Sequence, residues 1–291
     1  MVLLGGLTAC AFDPSGTSTA TPDASPPDAA PDARQFTAVH LLISEVKSGP
    51  DSLEFIEIFN PTCDDVDLTT YYLGDEPTYP LAPSWGTSRP MPGTLNAVVR
   101  FPPGEILASG AVAVVARDSL AFSAEYGVVP RFGLLNAGAS AMEFIAYRST
   151  PDMVLANTGE VVALFEWDGE GDLVRDVDIV VAGEAPATSH QLIAKQLLAP
   201  RGVDGPDVDD TLTTYLPDGA SLPAMQARDA TEGSYQRIAF EGEFEAASGG
   251  NGVDGHDETS EDTRNTWEQE PGTAPTPGEV PDALSVSCLG S

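Results

Sequence analysis

The residues of this chain that could do chemistry are mostly carboxylates, and the densest set is Asp204-Gly205-Pro206-Asp207-Val208-Asp209-Asp210. Asp204, Asp207, Asp209 and Asp210 alternate there with Gly, Pro and Val, and closely spaced carboxylate oxygens in a turn are the hard ligands that calcium takes. The EF-hand spacing and its closing Glu are absent. Asp254-Gly255-His256-Asp257-Glu258 with Glu261-Asp262 is a second acidic cluster, and Asp168-Gly169-Glu170-Gly171-Asp172 reads as a tight hairpin turn. A plainer reading stands beside calcium: acidic loops in a chain of net charge -32 are solvated surface. The histidines are His40, His190 and His256. The sequence has no Gly-x-Ser-x-Gly elbow, no His-Glu-x-x-His, no Gly-x-x-x-x-Gly-Lys loop and no Gly-x-Gly-x-x-Gly after a strand. Glu54 and Glu57 have the residue types of a glycosidase pair, but no cleft around them is legible, and acidic positions of a strand are expected to face water. No catalytic residues are therefore assigned, and no cofactor is expected unless calcium occupies the first acidic loop.

Three cysteines remain to be placed. Leu7-Thr8-Ala9-Cys10 follows the apolar run MVLLGGL and closely resembles the lipobox of a bacterial lipoprotein, in which the cysteine is acylated and becomes the first mature residue. A secretory signal usually carries a basic start and a longer apolar stretch. Their absence before Cys10 is explained by a true start upstream of Met1. Residues 11–35 are Pro, Ala, Ser, Thr and Asp with almost no bulky apolar side chain, so they cannot offset their ordering entropy and form a disordered tether. Cys63 and Cys288 form an even remainder, which in an exported protein suggests a disulfide. That bridge would close a loop of about 225 residues and contribute at most roughly 5 kcal/mol in the chain-entropy account.

The elements that must position these groups are short strands. Val39 to Val46 is β-rich, Gly49-Pro50-Asp51 is a turn, and Glu54 to Phe59 partly alternates acidic and apolar residues before Asn60-Pro61 ends it. Further strands are expected at Val66 to Leu68, Tyr71 to Asp75, Val98 to Phe101, Ala111 to Arg117, Ala141 to Tyr147, Val161 to Trp167 and Leu173 to Val181. Many short strands at near-regular spacing, with 28 Gly and 25 Pro, point to an all-β sandwich or barrel. Tyr71, Tyr72, Trp85, Trp167 and Trp267 are candidates for a carbohydrate face, although Trp267 is expected to plug the core.

Several of these segments resemble the bacterial lamin-tail family. The opening is carried by Ile43-Ser44-Glu45-Val46, Glu54 to Pro61, Val66-Asp67-Leu68 and Tyr72-Leu73-Gly74-Asp75. Pro102-Pro103-Gly104 to Arg117, Phe132 to Gly138, Ser234 to Ile238, Asn265-Thr266-Trp267 and Thr276-Pro277-Gly278 resemble its later landmarks in the right order. The resemblance implies an immunoglobulin-like β-sandwich with residues 78–96, 150–160 and 182–231 as enlarged loops. One short helix is expected at Ser189 to Leu198, acting as a lid.

The chain thus reads as four segments: signal 1–9, lipidated Cys10 and tether 10–36, sandwich 37–281, and tail 282–291. With 45 acidic against 13 basic residues, binding to nucleic acid is excluded as repulsive. The expected role is a non-enzymatic binding or adhesion module for a protein or polysaccharide ligand. Its lipidated cysteine would hold it in the outer membrane or at the cell surface. An exported hydrolase with a site in the inserted loops, near His190 or His256, and a structural envelope spacer are the alternatives.

Overall fold

The computed structural model describes residues 40–85, 96–136, 138–156, 160–182, 202–216, 233–241, 251–255, 257–268 and 273–284. The chain divides into two units between Gln35 and Phe36, and all of these residues belong to the larger one. The expected helix at Ser189 to Leu198 lies outside the described residues.

Among the described residues the fold is all-β and immunoglobulin-like, built of three sheets. Strands β1 (Leu42–Lys47), β2 (Phe55–Phe59), β7 (Val112–Ala116), β8 (Phe132–Gly133), β9 (Ser140–Ala141) and β13 (Tyr235–Gln236) form a six-stranded sheet in the order β13-β1-β2-β7-β8-β9. A five-stranded antiparallel sheet has the order β10-β5-β4-β11-β12. Its members are β4 (Tyr71–Gly74), β5 (Ala97–Arg100), β10 (Glu143–Tyr147), β11 (Glu160–Glu166) and β12 (Arg175–Ala182). The small pair β3 (Val66–Asp67) and β6 (Ile106–Leu107) forms the third. In β2, Ile56 and Ile58 turn inward to meet Val99, Val162, Leu164 and Val177 of the second sheet. Alternation puts Phe55, Glu57 and Phe59 on the other face.

That other face is also covered. A helix the sequence reading missed, α1 (Ser119–Tyr126), lays Phe122 and Tyr126 against Phe55 at ring separations of 5.4 and 5.9 Å. Its limits obey simple rules. The Asp118 side chain accepts from the Leu120 and Ala121 amides at the start, and Gly127 takes the left-handed conformation (φ 68°) at the end. The second sheet has its own outer layer, in which Tyr79, Trp85, Val203 and Tyr215 pack over Tyr72, Val161, Ala163 and Phe165. Trp85, Tyr72 and Trp267 are thus interior groups, 3%, 3% and 0% exposed, and cannot line a carbohydrate face.

Candidate functional site

Two sandwich edges meet where β13, the edge of the first sheet, passes β12, the edge of the second. Arg237 directly follows β13 and is fully buried. Its Nε donates to the Ile43 carbonyl at 2.8 Å, Nη1 to Glu261 Oε1 at 2.6 Å and Nη2 to Asp178 Oδ2 at 2.8 Å. The guanidinium lies 4.8 Å from the Trp267 ring centroid, a cation–π contact. Asp178 Oδ2 also accepts from the Ile43 amide at 2.6 Å. Glu261 and Trp267 are delivered by the turn that holds α2 (Thr263–Thr266), capped by the Asp262 side chain accepting from the Arg264 amide. Glu241 reaches the same guanidinium at 3.2 Å and His40 Nε2 at 3.4 Å. Burial alone would lower the Arg237 pKa, but Asp178, Glu261 and Glu241 together hold it above its usual value. Burial pushes the carboxyls of Glu241 and Glu261 up, with Asp178 adding repulsion and Arg237 opposing.

A second set of buried acids lies at β1 and β2, Glu45 and Glu57 on the outer face and Glu54 on the other, beside Ile56, Val115 and Arg117. Glu45, Glu54 and Glu57 are 2%, 2% and 0% exposed, so the expectation that acidic strand positions face water is corrected. For Glu45 and Glu57 the physical reason is the cover from residues 276–278. The Thr276 amide donates to Glu45 Oε1 at 3.1 Å and the Gly278 amide to Glu57 Oε2 at 2.6 Å. Ser44 Oγ donates to Glu57 Oε1 at 2.8 Å, and Ser234 Oγ donates to Glu45. Burial raises Glu57 to about 7 despite these donors. Glu54 is driven to about 8 by burial, against the pull of Arg117, whose Nε and Nη2 are committed to Asp152 at 2.9 and 2.8 Å. Glu54 and Glu57 thus hold separate structural contacts: Glu57 binds the chain end and Glu54 faces Arg117.

The acidic loop of residues 202–216 sits against the hairpin of β11 and β12. Asp172 ties them, its carboxylate accepting from the Gly205 amide at 2.8 Å and from Thr213 Oγ1. Asp207 Oδ1 accepts from the Asp209 amide at 3.0 Å and Asp209 Oδ1 from the Thr211 amide at 2.8 Å, so both shape local turns. Loss of hydration, then repulsion from Asp172, Asp210, Asp207 and Asp209, raises the Asp204 carboxyl. Among the described residues, groups of three or more ligand atoms within 4.8 Å occur at His40/Glu241/Glu258 and at Asp178/Glu241/Glu261, and neither includes Asp204, Asp207, Asp209 or Asp210. Among and just after those carboxylates the loop presents Val208, Leu212 and Leu216, 105%, 60% and 51% exposed.

The loop is seated by close backbone contact. A Cβ on Gly205 would fall 2.5 Å from the Gly171 carbonyl oxygen and 2.7 Å from that of Glu170. Gly205→Ala should therefore push the loop off the hairpin at a cost of about 1–3 kcal/mol. Amide hydrogen exchange at residues 205–213 should accelerate, and unchanged exchange there would contradict this seating.

Of the other groups singled out by sequence, Cys63 is disulfide-bonded and is the only cysteine among the described residues. Cys10 and Cys288 lie outside them, as do His190 and His256. The second acidic cluster is not the solvated surface of the plainer reading: Asp257, Glu258 and Glu261 are 2%, 4% and 3% exposed. What sequence reasoning missed was His40, Asp178, Arg237 and Glu241. The one available signal was the basic residue of Ser234-Tyr235-Gln236-Arg237, isolated in a strongly acidic chain.

The chain is similar to a solved DUF4876 family protein from Bacteroides thetaiotaomicron, at 15% identity and a TM-score of 0.47, covering 84% of this chain and 74% of that one. No curated protein matches. The family model described as Lamin Tail Domain matches residues 34–174, a stretch that includes β1 to β11 and α1. The landmarks at Tyr235–Arg237, Asn265–Trp267 and Thr276–Gly278 fall beyond it; the first and third reach β1 and β2 directly, and Trp267 packs on Arg237. Over residues 34–174, then, this chain is similar to a lamin tail domain, and its fold is an all-β sandwich of the immunoglobulin-like kind.

Proposed function

We propose that the protein is a non-enzymatic, lipid-anchored envelope protein whose lamin-tail sandwich works as a binding or adhesion module. The observation that carries this reading is the seated loop of residues 202–216, which holds Val208, Leu212 and Leu216 in water on a strongly acidic loop. Exposed apolar side chains on an anchored loop are what an interface core is made from, and the surrounding acids select the charge of what docks. A partner with cationic groups around an apolar contact is the fit, and the net charge of -32 would speed its approach at low salt. Buried acids elsewhere support the non-enzymatic part. Glu45, Glu57 and Glu261 spend their oxygens on Thr276, Gly278 and Arg237 rather than on an open cleft.

The test is binding of solubilised envelope proteins and polysaccharides to the immobilised full chain, in calcium and in chelator. Val208→Ser/Leu212→Ser/Leu216→Ser should weaken binding at least about tenfold, and added salt should slow association. Binding that the triple variant leaves intact would sink the loop as the docking surface. For the anchor, Cys10→Ser should move the exported protein from the detergent phase to the aqueous phase, and an unchanged partition would remove lipidation from the reading.

A further inference from the structure

Asp178, Glu241, Glu258 and Glu261 are four carboxylates no more than 5% exposed, and Arg237 is the guanidinium set among them. Its hydrogen bonds to carboxylates go to Asp178 and Glu261. Glu241, 3.2 Å from Nη2, accepts a hydrogen bond at neither oxygen although it is enclosed. A buried carboxylate left in that condition is costly unless a positive centre lies beside it.

His40 supplies the second, independent observation. Its Nδ1 lies 2.9 Å from the Leu41 carbonyl oxygen, which can only accept, so Nδ1 carries the hydrogen. In the neutral ring the Nε2 lone pair then points toward Glu241 Oε2, 3.4 Å away. Two acceptors facing each other in a buried site require a proton or a metal between them. An imidazole whose far nitrogen is fixed on a backbone carbonyl is the usual arrangement around a bound metal. One ligand atom each from His40, Glu241 and Glu258 lies within 4.8 Å of the others, close enough for a single ion to reach all three.

We propose that His40 Nε2 and the carboxylates of Glu241 and Glu258 hold a divalent transition-metal ion, zinc being the expected occupant. Nitrogen among the ligands favours zinc over calcium or magnesium, which take oxygen. The neighbouring group of Asp178, Glu241 and Glu261 has comparable spacing. There the guanidinium of Arg237 already serves as the cation, which leaves the His40 side for the metal. The ion joins the approach to β1, the segment after β13 and the turn before α2, three stretches far apart in sequence, so its role is to fasten the sandwich edge.

The test uses the purified full chain, stripped with chelator and titrated with zinc, cobalt and calcium. Zinc should bind at one equivalent and raise Tm by several degrees, with a smaller rise in calcium. Cobalt should give visible absorption that zinc abolishes. His40→Gln and Glu241→Gln should each weaken zinc binding at least about tenfold, while Asp207→Asn/Asp209→Asn leaves it unchanged. No zinc uptake and no Tm change in the native sequence would overturn the proposal and leave a proton between His40 and Glu241. Uptake that survives His40→Gln, or that is lost in the Asp207/Asp209 variant, would overturn it as well. If either cluster variant fails to fold, the cobalt spectrum of the native chain decides: absorption supports the site and its absence overturns it.

Discussion

Arg237→Leu should lower the stability of the protein by about 3–5 kcal/mol, the usual result of removing one partner from a buried ion cluster. The leucine fills much of the volume but takes the guanidinium donors from Asp178 and Glu261 and the cation from the face of Trp267. The Ile43 carbonyl loses its donor too, so β1, β12 and the α2 turn are all loosened by one change. At the size of this domain, Tm should fall on the order of 10 °C. The matched control is Arg264→Ala, whose guanidinium pairs with Asp262 in water and should leave the midpoint unchanged. Calorimetry of both variants settles it: equal midpoints would show that the cluster does not hold the sandwich edge. Because the uncompensated carboxylates can be neutralised by protons, the deficit in Arg237→Leu should also shrink as pH is lowered.

Stability should fall as pH rises from about 5 to 8, and Glu54→Gln should remove much of that fall. Glu54 titrates near 8 in the folded protein because it is buried, against 4.5 for an ordinary carboxyl. Glu57 titrates near 7 for the same reason. Across that window the folded state therefore binds more protons than the unfolded chain. The contribution of Glu54 is complete below about 4.5, declines through the interval and is gone above about 8. The interval corresponds to at most about 5 kcal/mol for this one group. Net charge of -32 adds self-repulsion in the same direction, so the comparison must be between variants. Glu54→Gln keeps the shape without the ionised form, and its Tm should exceed the native value at pH 8 and converge with it near pH 5. A pH profile parallel to that of the native chain would contradict the assignment.

The strands were legible because alternation and turn residues act locally. β1, β2, β4, β5, β7, β10, β11 and β12 all lie where the sequence places them, with only their ends displaced by a few residues. The helix α1 was also legible in retrospect, framed by Asp118 and Gly127, but its apolar residues come after a strand without a break in composition. The acids were misread for a different reason. A period of two says which side chains share a face, not whether some distant segment will cover that face. Glu45 and Glu57 look like exposed positions until Thr276 and Gly278 arrive. The same holds for Arg237, whose partners come from residues 43, 178 and 261 and share no local pattern. The family-like landmarks were visible, but their meaning as mutual contacts was not.

The late cover over β1 and β2 also orders events as the chain is made. Both strands are made well before Gly278, and Glu57 lies on a face that water must occupy until the residues around Gly278 have emerged. Closure over Glu57 therefore waits on a segment 221 residues further along. A chain still being synthesised, or one cut short before Thr276, keeps an open, ionised surface where the finished protein has a sealed one. A segment far along the chain thus acts as the latch on a face laid down much earlier.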